Sequence, residues 1–153
     1  MKTLFTILAL SLSAPAYACE TLRVGDIEVS NAWSRASVGT NAPGVAYLTI
    51  RNVGAVDDTL TSVSTPAANM PMLHETVVTD GVASMPHLMA VPVAAGQTVM
   101  LQPGGMHAML MGLTAPLKKD ASFPLTLTFA TAGEVTVPVE VLALGATGPD
   151  CAP

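Results

Sequence analysis

The sequence predicts an all-β chain, an antiparallel β-sandwich of about eight or nine strands, and three observations lead there. Val, Thr and Leu recur in short alternating runs, the two-residue period of a half-buried strand. Clusters of Gly, Pro, Asn and Asp separate those runs. No stretch carries a sustained helical periodicity. Many short strands with turn residues between them argue two packed sheets in a single domain.

Taken in order, residues 1–18 read as a leader rather than as part of the fold. Lys2 supplies a positive start, residues 4–12 (LFTILALSL) form an apolar segment too short to span a bilayer, and Ala16-Tyr17-Ala18 has the small-x-small pattern of a signal-peptidase site. Cleavage after Ala18 would leave a sandwich domain over residues 19–153, exported and without a membrane span. Strands are expected at 26–30 (with Trp33 just beyond), 46–52, 59–64, 72–79, 82–89, 98–102, 107–111, 125–130 and 134–141. The turns between them fall at 39–44, Asp57-Asp58, Thr65-Pro66, 92–96, Pro103-Gly104-Gly105, 116–120 and Gly133, and the tail 145–153 reads as a loose end. Trp33 is a core anchor, whereas Arg35 and Arg51 read as solvated charges on strand faces.

One turn specifies a register. Asp80-Gly81 between β-branched residues is a type I′ hairpin signal. With those two at the centre, Thr79 faces Val82, and the same count places His74 opposite His87 and Met72 opposite Met89 on one face. A three-residue loop would shift the register by one and put His74 and Met85 on opposite faces.

Composition excludes several function classes. Net charge is −5, or −6 once Lys2 is removed, and Lys118-Lys119 is the only basic pair, so nucleic acid and anionic membranes are poor partners. No Ser-His-Asp set or paired carboxylates suggest hydrolysis, and no enzyme activity is expected. The two cysteines, Cys19 and Cys151, stand near the two ends of the mature segment. They read as one disulfide in an exported chain; lipid attachment at Cys19 is the alternative, disfavoured because Ala16 stands where a lipobox carries an aliphatic residue.

The chemistry concentrates in Gly104–Leu113, GGMHAMLMGL. As a strand, it points His107, Met109 and Met111 to one face and Ala108 and Leu110 to the other. Every one of the three histidines has a Met within two residues, and eight of nine methionines lie in 70–111, whereas methionines used only as filler would be scattered. Neutral imidazole and thioether donors suit soft Cu(I), or similarly Ag(I); Cu(II) held through the histidines alone is a further option. Zn²⁺ sites are built from Cys, His and carboxylate, and blue copper needs a Cys thiolate that this cluster lacks.

His74, Met85, His107 and Met109 stand in the spacing H-x10-M-x21-H-x-M. With Ala32-Trp33-Ser34-Arg35, Gly44-Val45-Ala46-Tyr47-Leu48, Pro103-Gly104-Gly105 and Phe123-Pro124-Leu125-Thr126-Leu127-Thr128-Phe129, the chain resembles the PCuAC family of periplasmic copper chaperones. That resemblance implies a cupredoxin-like sandwich with a Cu(I) site formed by those four residues. It further implies delivery of copper to a protein acceptor, a copper centre of cytochrome oxidase, alongside a Sco-type protein; the chain is expected to be a monomer. Two departures stand out: Met106 replaces an aromatic residue common in the family, and His87-Leu88-Met89 adds a second H-x-M that could compete or hold a second copper, an exposed surface His being the plainer reading. A copper-dependent redox protein, a copper-buffering or resistance protein, and a sandwich whose Met band is simple packing are the competing functions.

Overall fold

The computed structural model describes residues 19–151, so the leader expected at 1–18 lies outside the described residues. Among them are twelve strands and no α-helix: β1 (Leu22–Val24), β2 (Ile27–Arg35), β3 (Gly44–Asn52), β4 (Asp58–Ser64), β5 (Ala68–Glu75), β6 (Val77–Thr79), β7 (Val82–Ser84), β8 (Val91–Val93), β9 (Thr98–Leu101), β10 (Met106–Leu113), β11 (Ser122–Phe129) and β12 (Gly133–Leu142). The hydrogen-bonded order of the main sheet is β5-β10-β9-β3-β2-β12-β11-β4-β8, with β1 on β2 and β10 also pairing β3. β6 and β7 form a separate two-stranded hairpin.

The sheet curls so that the inner faces of β2, β3 and β10 and those of β4, β11 and β12 share one core, a cupredoxin-like sandwich. Alternation does this work. In β11, Phe123, Leu125, Leu127 and Phe129 are buried while the residues between them face outward, and β12 repeats the pattern at Val137, Val139 and Val141. Each large apolar side chain so buried contributes roughly 1.5–3 kcal/mol.

The sequence underestimates the strand count and misses two parallel pairings. β1 and β8 are three-residue strands too short to show a period, and the run expected at 72–79 is split at Thr76 into β5 and β6. The strand expected at 82–89 ends at Ser84, because Pro86 has no N–H to donate to the ladder; only its carbonyl takes part, accepting from Glu75 N at 3.2 Å. β12 runs parallel to β2, and β10 is parallel to β9 at Met106 and Leu101; the other pairings of the described residues are antiparallel.

Trp33 is buried as expected, its ring 4.6 Å from that of Tyr47. Arg35 is not the solvated charge anticipated. Its guanidinium carbon sits 5.9 Å from both ring centroids, and its Nε donates to the Ala146 carbonyl at 2.8 Å. The tail is therefore anchored rather than loose, and Cys151 is bonded to Cys19. At the other end of the sandwich, buried Asp58 accepts hydrogen bonds from the backbone N–H groups of Thr59, Thr131 and Ala132, tying the start of β4 to the β11–β12 turn.

Candidate metal centre

The Asp80-Gly81 turn carries positive φ at both residues, 52° and 78°, as a type I′ hairpin requires. Thr79 pairs Val82 and Val77 pairs Ser84, the two-residue register read from the sequence. That register continues past the hairpin: Leu88 N donates to Leu73 O at 2.8 Å, and His74 pairs antiparallel with His87. On the other side of β5, His107 of β10 lies directly opposite His74. All three histidines of the chain thus form one row across three adjacent segments, on one face. The His74 ring centroid is 5.6 Å from that of His87 and 6.0 Å from that of His107.

Backbone carbonyls orient two of these rings. His74 Nδ1 is 3.0 Å from the Met85 carbonyl and His107 Nδ1 is 3.0 Å from the Gly105 carbonyl. A carbonyl only accepts, so each Nδ1 carries the proton, and in the neutral ring the lone pair is on Nε2. Gly105 O also accepts from Thr76 N at 3.1 Å, so the carbonyl is itself held. His74 Nε2 is the one buried side-chain N or O among the described residues with no hydrogen-bond partner. A buried lone pair left unpartnered costs about 1–3 kcal/mol, which a ligand would recover.

Thioethers continue this row along β5 and β10. Met109 lies two residues beyond His107 on the same face of β10, half-buried, with Met72 of β5 opposite it and the pair Met111–Met70 beyond. Ala108 and Leu110, on the reverse face, are fully buried, as the alternation predicts. Met85 lies just beyond β7; its carbonyl meets the His74 ring and the residue is 52 % exposed. The fold therefore gathers His74, His107 and Met109 on adjacent strands, and from Met85, just beyond β7, it brings the backbone carbonyl to the His74 ring. Glu75 stands on the reverse face of β5 from His74, and among the described residues no three His, Cys, Asp or Glu side chains are grouped to hold a metal. The donors present are imidazole nitrogen and thioether sulfur, a set that fits a soft monovalent ion.

The backbone partners Met85 O, Gly105 O and Thr76 N are site elements that sequence reasoning misses. A carbonyl leaves no residue-type signal, and only the Gly104-Gly105 turn before His107 hints at close backbone approach.

A family described as "Putative lipoprotein LpqE-like" matches residues 27–141. "Putative lipoprotein Lxx21020" of Leifsonia xyli subsp. xyli is 34% identical over 117 residues, covering 74% of this chain and 69% of that protein. Among solved structures, the apo PCuAC domain of PmoF2 superimposes with a TM-score of 0.71 at 23% identity, covering 85% of this chain and all of that domain. The Cu(I) form of DR1885 from Deinococcus radiodurans gives a TM-score of 0.62 at 30% identity, covering 80% of each chain. The matched residues run from the first residue of β2 almost to the end of β12, nearly the whole sandwich, and on that footing the chain belongs to the LpqE-like family, with the fold of PCuAC domains.

Proposed function

We propose that this chain is an exported, monomeric Cu(I) chaperone of the periplasm. Its cargo is held by His74, Met85, His107 and Met109 and delivered to a protein acceptor, a copper centre of cytochrome oxidase, in concert with a Sco-type thiol protein. The observation that carries the reading is the unpartnered Nε2 of His74, beside a second imidazole whose Nε2 is also left free by its backbone bond. The Cu(I) form of DR1885 and a copper-bound PCuAC domain from PmoF2, which share this fold, support it. The lipoprotein descriptions of the family and of its Leifsonia member support export.

The ligands differ in how firmly they are held. His107 is 5 % exposed and oriented by Gly105, whereas Met85 rides on the exposed hairpin. Met85 is then the ligand that leaves first, opening a coordination position for an acceptor's donor while the two imidazoles and Met109 keep the ion. A thiolate-based redox site is not available, because Cys19 and Cys151 are joined to each other. In competition against a Cu(I)-specific chelator, the native chain is expected to withdraw one tightly held equivalent. His107→Ala combined with Met109→Ala should abolish that withdrawal while leaving the β circular-dichroism spectrum intact; undiminished affinity in the double variant refutes the proposal.

A further inference from the structure

We infer a second soft-metal site on the outer side of β5, formed by His87, Met89 and Met72. His87-Leu88-Met89 repeats the His-x-Met spacing of His107-Ala108-Met109, and the two copies flank β5 on opposite sides. The flanking follows from register. His107 and His87 both pair with His74, and Met109 pairs with Met72. The Leu88 N–H to Leu73 O bond continues the same count, which sets Met89 opposite Met72.

Packing agrees with the count. A shallow groove of about 170 Å³ along this edge is lined by Met72, His87 and Met89 together, with Leu73, Leu88 and Val63 behind them. One imidazole and two thioethers offer a three-donor NS2 set without any charged ligand, a match for Cu(I) or Ag(I) and a poor one for Zn²⁺ or Ca²⁺. Packing does not account for these side chains. His87 is exposed and Met89 is 80 % exposed, so neither fills the core.

The second site shares no ligand with the first, so it stands or falls separately from the chaperone reading. Its nearness to the first, with the His74 and His87 rings 5.6 Å apart, lets an ion captured on the exposed edge exchange ligands directly with the held imidazole. The outer site is the weaker and faster of the two because its donors lie at the surface, where water competes.

Ag(I), which does not change oxidation state under these conditions, is the probe. Native mass spectrometry and titration calorimetry of the disulfide-intact chain should show two Ag(I) per molecule, the second weaker than the first by tenfold or more. His87→Ala with Met89→Leu should bind one, with the first affinity unchanged, and Met72→Leu alone should weaken only the second. His107→Ala with Met109→Ala should lose the strong event and keep the weak one. A native chain that binds a single equivalent, or a His87/Met89 variant that still binds two, overturns the second site.

Discussion

At the scale of single residues, the recurring device is a polar side chain held by backbone. His74 and His107 each give their Nδ1 proton to a carbonyl, and that choice of tautomer leaves both Nε2 lone pairs available. Asp58 shows the same device used for stability. Burial alone would raise its pKa, but the N–H groups of Thr131, Thr59 and Ala132 outweigh it and hold the carboxyl below its usual range. A carboxyl whose folded pKa is depressed adds stability above its unfolded value, about 3.9, and loses it as pH falls through the folded value. Asp58→Asn should therefore cost about 1–3 kcal/mol at neutral pH, since an amide turns a donor toward one of those N–H groups. Urea unfolding at pH 7 and pH 3 checks both points: the gap between native and variant should narrow at the lower pH. The residue types at the site were legible, because His and Met crowd into 70–111. Their carbonyl partners were not, since any residue brings the same carbonyl.

At the scale of elements, the hairpin β6–β7 decides where Met85 and His87 point. Side chains alternate along a strand, so one residue inserted after Gly81 should turn both away from the face of His74. Such an insertion is expected to weaken Cu(I) binding at least tenfold while leaving the core strands folded, read by chelator competition alongside circular dichroism. This register was legible from Asp80-Gly81 because a turn with positive φ at two adjacent positions needs residues of that kind. The alternation of β10 was legible too, with Ala108 and Leu110 inward and His107 and Met109 outward. Strand order was not. The parallel pairing of Glu140 with Trp33 joins residues more than a hundred positions apart, and periodicity carries no information about which strand becomes a neighbour. The run 72–79 reads as one strand with Thr76 inside it, yet the Thr76 N–H leaves the hairpin ladder for Gly105, and that departure is what braces the Gly105 carbonyl that holds the His107 ring.

Across the whole molecule, the ends of the described chain are fastened together. Cys19 and Cys151 are bonded over a separation of 132 residues, and Arg35 secures Ala146 just before the second cysteine. A cross-link closing so long a loop stabilises by about 5 kcal/mol in the chain-entropy model. Cys19→Ser with Cys151→Ser should lower the thermal midpoint by roughly 15–20 °C, measured by calorimetry, with Cu(I) affinity unchanged because neither sulfur belongs to the proposed copper site. The pairing also bears on the family's lipoprotein description: a Cys19 sulfur bonded to Cys151 has no valence left for a lipid thioether. Two distant cysteines made this bond legible as one of two fates, but the sequence held nothing to show the tail returning to β2, since Arg35 looks like any surface charge. In the proposed site, imidazoles and thioethers from β5, β10 and the segment just after β7 converge on a single monovalent copper. X-ray absorption on the chain loaded with one equivalent of Cu(I) tests it most directly. Two nitrogen and two sulfur neighbours, with that four-donor shell lost in the His107→Ala, Met109→Ala variant, are the expected result; a shell of nitrogen and oxygen alone, unchanged by those substitutions, would contradict it.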